Sequence, residues 1–395
     1  MAEPLNSDLV LRTRFSLLEQ IKSPIEIMGL KLRVIFYLSP ASLEYAGSTE
    51  SSVNSVRHLS CVGKGGNVTV ANSQPSTGTS AANAPSRETV VACYSAFDRF
   101  FPACGLFDLT EGIYHGNPKT PYEEAQISQL DYLCDQVQTE PGRRILDLGC
   151  GYGTLLERIR QRNATGVGIT ISPEQMRYCR HKKLNVHCLD YRVIPDRWER
   201  TFDGVIANGS IEHFIRPADA APQGKADSIY RHLFAKVHCL INPNSTARRF
   251  ATTTIHFIRE PTNPLDLLKN PFSFRWNSDN FHWAALEQGW GGYYPKTGQL
   301  RRCAKGYFDL IEEIDGTEDY RLTSEEWLRV VRRALRSLRV MKISFRALPV
   351  LARSPGQFLT LLLSLLLSES WNWQFRPPNP PMRLLRQTWV YRDRS

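Results

Sequence analysis

Apolar and polar positions along the middle of the chain fall into blocks that switch between two periods. Ile145 to Leu148 is an apolar run broken only by Asp147, the pattern of a strand buried on both faces. Val167 to Thr170, Asn185 to Leu189, Phe202 to Ala207 and Phe250 to Ile258 repeat it, and Tyr307 to Ile314 and Arg386 to Tyr391 supply two late strands. Helical spacing occupies the intervals. Tyr122 to Val137 carries Ala125, Ile127, Leu130, Leu133 and Val137 on one predicted apolar face, and Thr154 to Gln161 and Ala226 to Leu240 follow. Ser172-Pro-Glu-Gln175 predicts a helix start, with Ser172 accepting from the Gln175 N–H and the Gln175 side chain reaching back. This alternation predicts an α/β fold, a doubly wound, mostly parallel sheet with its ligand at the carboxyl ends of the strands.

The flanks break the pattern. Residues 1–47 hold a predicted helix, Leu9 to Ile21, and a strand-like run, Leu32 to Leu38, with no assignable role. Residues 48–88 are rich in Ser, Thr, Asn, Gly and Ala, a composition that cannot offset ordering entropy, so a flexible linker is expected there. The main domain is expected over 89–395, opening on an amphipathic helix from Ser86 to Phe101. Near its end, Arg329, Arg332, Arg333, Arg336 and Arg339 lie opposite Leu328, Val331, Leu335 and Leu338 if 325–341 is helical. Phe358 to Leu367, followed by Trp371 and Trp373, reads as a packed helix too short to span a bilayer.

Charge changes the picture modestly. The 395 residues carry a net charge of +10, which suggests an anionic partner, and the arginine stripe suits peripheral contact with an anionic membrane as well as it suits a solvated helix face. No recognition motif for nucleic acid accompanies it. Nine cysteines without a C-x-x-C pair argue for reduced thiols and a cytoplasmic setting, with no metal site and no signal peptide.

The candidate chemistry begins where the first strand ends, in Asp147-Leu-Gly149-Cys-Gly151-Tyr-Gly153. The glycines allow close approach of backbone to a ligand, and a helix starting near Gly153 would aim its N–H groups and dipole there. An acidic residue two positions before G-x-G-x-G resembles motif I of class I S-adenosylmethionine (SAM) methyltransferases. Such a site needs a polar group at the end of the second strand for the ribose, met by Thr170 or Gln175. It needs another at the end of the third for adenine, met by Asp190, with Tyr191 and Gly209 completing the cofactor-binding set.

Over about 300 residues, Thr89 to Arg392, ordered motifs resemble the cyclopropane-fatty-acid synthase (mycolic acid cyclopropane synthase) family. Tyr94-Ser-Ala-Phe-Asp-Arg-Phe-Phe resembles its Y-D-x-x-D-x-F-F, and Gly168-Ile-Thr170-Ile-Ser172-x-x-Gln175 its G-x-T-x-S-x-x-Q. Ser210-Ile-Glu212-His213-Phe214 is similar to x-F-E-H-x, Thr254-Ile-His256-Phe-Ile258 to the strand carrying H-x-I, and Tyr320-x-x-Thr323-x-x-x-Trp327 to Y-x-x-T-x-x-x-W. The resemblance implies a seven-stranded Rossmann-like sheet with a helical cap over the acceptor site. It further implies SAM as cofactor and bicarbonate as a second ligand, held here by Glu212, His256, Ile258 and Tyr320. The implied reaction is methyl transfer to an alkene of a lipid or lipid-like substrate, through a carbocation that loses a proton to bicarbonate or to a side chain.

Departures are local. The family cysteine aligns with Gly112, next to Glu111; Ile241-Asn-Pro-Asn-Ser245 replaces P-G-G; and Arg216 to Lys225 is inserted. Two alternatives stay open: a natural-product C-, O- or N-methyltransferase on the same fold, and a catalytically inactive SAM-binding or membrane-associated protein.

Overall fold

In the computed structural model the described residues are Phe101, 104–106, 108–337 and 369–393. The expectations for 1–88, for most of the helix to Phe101 and for Phe358 to Leu367 fall outside them.

Helix α1 (Tyr122–Gln136) leads into β1 (Arg144–Leu148), α2 (Thr154–Gln161), β2 (Thr165–Thr170), α3 (Pro173–His181), β3 (Val186–Cys188) and β4 (Gly204–Asn208). Then come α4 (Lys225–Leu240), β5 (Arg249–Phe257), α5 (Asp279–Trp290), α6 (Gln299–Ala304), β6 (Phe308–Asp315), α7 (Thr317–Leu335) and β7 (Met382–Tyr391). The strands form one seven-stranded sheet in the order β3-β2-β1-β4-β5-β7-β6. The first five run parallel, and β7 is antiparallel to both β5 and β6. The sheet is thus doubly wound and Rossmann-like, with β6 and β7 at one edge, and the strand order reverses between β1 and β4, where such sheets open a crevice.

Both faces of the sheet are buried, which is why its central strands read as nearly continuous apolar runs. Ile145, Ile206 and Ala251 pack with Leu133, Val137, Leu156 and Ile159 from α1 and α2. On the opposite face Leu146, Val205 and Phe250 pack with Phe234 of α4 and Trp389 of β7, the last two rings 5.1 Å apart edge to face.

Three local expectations need correction. Ile127 is 48% exposed: the buried stripe of α1 runs through Ala125, Gln129, Leu130, Leu133, Cys134 and Val137, so a polar residue, Gln129, takes a core position. Strand β7 begins at Met382 rather than Arg386, because Met382, Leu384 and Leu385 are buried and Arg386 itself sits inside at 1% exposure. Ser172 does cap α3 by accepting from Gln175 N at 3.3 Å, but the Gln175 side chain accepts from Thr170 Oγ1 at 2.7 Å instead of closing the box. Among the described residues no helix is long and apolar enough to cross a membrane.

Candidate active site

A cavity of about 730 Å³ opens at the carboxyl ends of β1 to β4. One side is lined by the predicted cofactor residues Asp147, Gly149, Gly151, Thr170, Gln175, Asp190, Tyr191 and Gly209. Gly153 is the exception: it caps α2, and its Cα faces Leu184 and Cys179.

The turn after β1 is held tightly. Gly149 has φ +93° and an added Cβ would lie 2.6 Å from Ser210 Cβ, so only glycine fits. The Ser210 hydroxyl donates to the Leu148 carbonyl at 2.5 Å, tying the ends of β1 and β4 together across that glycine. At Gly151 and Gly209 an added Cβ would meet nothing within 4 Å. Backbone there borders open space in the cavity, as a cradle for a ligand requires. Asp147 is 2% exposed, and burial alone pushes its carboxyl from 3.8 to about 7.

At the end of β2, Thr170 accepts from the Ser172 N–H at 3.1 Å while its hydroxyl holds Gln175. Asp190 accepts from the Arg192 N–H at 2.9 Å and pairs with its guanidinium at 2.5 Å. Tyr191 stacks on Phe214 at 4.3 Å, and both rings line the cavity. Phe214 was not singled out in the sequence, although it closes the stretch containing Glu212. This donor set fits SAM: glycine backbone, a buried carboxyl for its cationic end, and polar groups and aromatic faces for the nucleoside.

The other side draws on distant segments: Phe101, Glu111, Trp290, Tyr320, Trp327 and Trp371. Helix α7 places Tyr320, Thr323 and Trp327 on one buried face, at the helical spacing noted in the sequence. Trp371 packs against Trp290 (4.7 Å), Trp327 (5.8 Å) and Tyr320 (5.9 Å). The sequence offers the aromatic-rich stretch Phe272 to Tyr294 and the segment ending in Trp371 and Trp373 as pocket linings, and Trp290 and Trp371 do line the cavity; Phe101 was not predicted there.

Of the four residues assigned to an anion, only Tyr320 lines the cavity. Glu212 is 4% exposed, and its Oε1 accepts from the Ile255 N–H at 2.8 Å. Strand β4 stops at Asn208 opposite Thr253, so that N–H lies beyond the ladder on this side and the carboxyl takes it. Burial pushes Glu212 up to about 8. His213 turns its Nδ1 to the Gly291 carbonyl at 2.9 Å rather than to Glu212. His256 is wholly buried on β5, its Nδ1 3.3 Å from the Lys296 carbonyl, and burial lowers it to about 4. Ile258 is 43% exposed, and its N–H donates to the Pro381 carbonyl at 2.9 Å. Along β5 the Thr253 side chain meets Gln129, while Glu212 takes the Ile255 backbone N–H, which lies in the plane of the sheet. Glu212 and Tyr320 thus lie in one corner with Glu111, and Glu212 Oε2 and His256 Nε2 are buried without a hydrogen-bond partner, while the Ile258 N–H is taken by Pro381.

Glu111 shares that corner. Its carboxylate is 4% exposed, accepts from Gln129 Nε2 at 2.8 Å and is hydrogen-bonded by Thr253. Arg386, opposite Thr253 on β7, donates to Gln129 Oε1 (2.8 Å), to Asp319 Oδ2 (2.8 Å) and to the Gly112 carbonyl (3.2 Å). Among the described residues no group of three His, Cys, Asp or Glu is placed to hold a metal ion.

Residues 85–343 match the family described as mycolic acid cyclopropane synthetase. A probable fatty acid methyltransferase of Pseudomonas putida is 33% identical over 109 residues, 25% of this chain and 27% of that protein. The cyclopropane-fatty-acyl-phospholipid synthase of Escherichia coli K12 is 34% identical over 96 residues, 23% of this chain and 24% of the other. Cyclopropane mycolic acid synthase 2 of Mycobacterium leprae is 30% identical over 159 residues, 37% of this chain and 51% of that one. The aligned stretches thus span between a quarter and a half of these relatives. A solved cyclopropane synthase from Mycobacterium tuberculosis shares the fold at TM-score 0.58 and 18% identity, over 78% of this chain and 99% of that one. Coclaurine N-methyltransferase bound to N-methylheliamine and SAH does so at 0.54 and 16%, over 78% and 89%. The fold is that of the class I SAM methyltransferases, and the chain belongs to the mycolic acid cyclopropane synthetase family.

Proposed function

We propose that the protein is a SAM-dependent C-methyltransferase acting on an alkene of a lipid or lipid-like acceptor. The observation that carries this reading is one cavity with a glycine cradle on one side and a buried carboxylate among aromatic rings on the other. Asp147, the backbone of Gly149 and Gly151, Thr170, Gln175 and Asp190 would hold the cofactor. When bound, SAM supplies a methyl group made electrophilic by its sulfonium.

The chain's own contribution is to bind, orient and exclude water. Trp290, Tyr320, Trp327 and Trp371 present ring faces to the acceptor, and such faces stabilise positive charge developing on carbon while keeping water out. Burial holds the Tyr320 phenol well above its ordinary range, so it stays protonated and able to donate. The lipid class of the acceptor is supported by the relatives, a probable fatty acid methyltransferase and a cyclopropane-fatty-acyl-phospholipid synthase. Exposed Arg333 and Arg336 suit an approach to anionic headgroups, whereas Arg329 and Arg332 are paired with Glu326 and Glu369.

The test is incubation with SAM and vesicles of monounsaturated phosphatidylglycerol and phosphatidylethanolamine. The expected result is a gain of one CH2 on the acyl chains by mass spectrometry, at equal yield with S-adenosylhomocysteine. Turnover of a soluble terpene or polyketide alkene with intact vesicle lipid would instead assign a small-molecule acceptor.

A further inference from the structure

In the family pattern a cysteine stands where this chain has Gly112. An added Cβ at that position would lie 2.6 Å from Ala125 Cβ, so no side chain fits. The segment is pinned from both sides: the Gly112 N–H donates to Thr323 Oγ1 of α7 at 3.0 Å, and the Ile113 N–H to the Ala125 carbonyl of α1 at 2.9 Å. Pinned this way, the chain delivers the preceding side chain, Glu111, into the acceptor end of the cavity. We propose that the Glu111 carboxylate is the base of the reaction, standing where the resemblance would put bicarbonate.

This inference rests on the C-methyltransferase reading. The π pair of the acceptor alkene forms the bond to the donated methyl carbon, and the pair of the broken C–S bond stays on sulfur. The adjacent acceptor carbon becomes cationic. Glu111 then takes a proton either from the new methyl, whose C–H pair closes a three-membered ring onto the cationic carbon, or from a carbon adjacent to the cation, whose C–H pair becomes a new double bond. The proton sits on a Glu111 carboxyl oxygen until it passes to water after product release.

Two carboxyls lie in this corner, and their surroundings separate them. Glu212 has burial and the negative Glu111 acting against ionisation and only backbone hydrogen bonds in its favour, so it stays protonated near neutral pH. Glu111 is also pushed up by burial, but the Arg386 cation and the Thr253 hydrogen bond offset it in part. The groups facing it are Asp108 of its own segment, Tyr122 of α1, Arg386 of β7, Glu212 after β4 and Tyr320 of α7. Of these only Arg386 is cationic, and it reaches Glu111 through Gln129 rather than by direct pairing. Arg386 and Thr253 thus favour the ionised form that a base requires, against a burial that raises the group above the ordinary carboxyl value.

The decisive substitution is Glu111→Gln, which keeps the shape and an acceptor toward Gln129. Two measurements read it. First, calorimetry follows binding of dodecyltrimethylammonium, below its micellar concentration, to protein saturated with S-adenosylhomocysteine. The variant is expected to bind this carbocation mimic at least about tenfold more weakly, with S-adenosylhomocysteine affinity unchanged. Second, vesicle turnover is measured in carbonate-free buffer. The wild type should keep its rate, and the variant should lose roughly 10²-fold or more in kcat. Equal binding of the ammonium by both proteins would overturn the proposal, as would a wild-type rate that collapses without bicarbonate while Glu111→Gln keeps turning over. Should the wild type leave vesicle lipid untouched, the lipid reading fails, and the ammonium measurement alone judges Glu111. Glu111→Asp serves in both measurements if the glutamine variant does not fold, with retained ammonium binding and reduced kcat expected.

Discussion

The cofactor side and the acceptor side of the cavity are satisfied over different distances in the chain. On the cofactor side most polar groups find partners close by: Thr170 with Gln175, Ser172 with Gln175, Asp190 with Arg192; Ser210, 62 residues from Leu148, is the exception. On the acceptor side partners are remote. Gly112 meets Thr323 at a separation of 211 residues, Tyr122 meets Trp327 at 205, and Arg386 meets Gln129 at 257. The two sides also handle charge differently. Asp147 is buried with no cation to offset it, whereas Glu111 has Arg386 built in behind it. A side made of neighbours can form with its strand-to-helix turns; a side made of remote partners exists only once the sheet edge has closed on α1 and α7.

The largest expected effect comes from removing the remote cation. Arg386→Met takes away donors to Gln129, Asp319 and Gly112 and leaves buried carboxyls uncompensated, at a cost of about 3–5 kcal/mol. The urea midpoint should fall with no change in slope. If the sides are as independent as their partners suggest, SAM affinity of the folded protein should be unchanged. A parallel loss of SAM affinity would break the comparison.

That asymmetry also sets what could be read from the sequence. The seven strands were legible because both sheet faces are buried and the apolar runs are nearly continuous, and the glycine turn was legible because its residues are contiguous. The acceptor corner was not. Gln129 and Arg386 are polar residues at 0% and 1% exposure, and a pattern of apolar and polar positions assigns both to the surface. Reading Arg386 as the start of a strand, rather than as a buried cation within one, follows from the same rule. The positions His256 and Ile258 were matched by motif, whereas the meeting of the Thr253 side chain with Gln129 and of the Ile255 backbone N–H with Glu212 depends on how β5 packs and was not visible there. Glu111 was visible only as a neighbour of a missing cysteine; its role depends on Ala125 and Thr323 closing around Gly112.

A smaller effect probes the cofactor side alone. Gly149→Ala forces a Cβ to within 2.6 Å of Ser210 Cβ at a φ of +93°, and the overpacking costs about 1–3 kcal/mol. The hydroxyl bond from Ser210 to Leu148 is the contact that must open. SAM binding, measured by calorimetry, should weaken by about tenfold or more, since 1.4 kcal/mol is a factor of ten. Dodecyltrimethylammonium binding to the variant without nucleoside should match that of the wild type, because Glu111 and the ring faces are untouched. Equal loss at both ends would mean that the turn supports the whole cavity rather than one side of it.

The mildest perturbation is a proton on Asp147. Its pKa of about 7 lies above the ordinary carboxyl value of 3.8, so in the ligand-free protein the neutral form is favoured. The associated stability is complete below the unfolded value and is lost as pH rises through 7. A ligand whose cationic end lies beside Asp147 prefers the ionised form, so binding must expel the proton whenever pH is below the folded pKa. SAM affinity should therefore rise about tenfold per pH unit between roughly pH 5.5 and 7 and flatten above that. Asp147→Asn should remove the slope and bind SAM at high pH more weakly than the wild type, while its own stability no longer declines through pH 7. A flat wild-type profile over that range would mean that Asp147 is already ionised or does not meet the cation. The contrast between a cofactor side whose carboxyl meets a cation only on binding and an acceptor side whose carboxyl has Arg386 built in behind it would then fail at its first term.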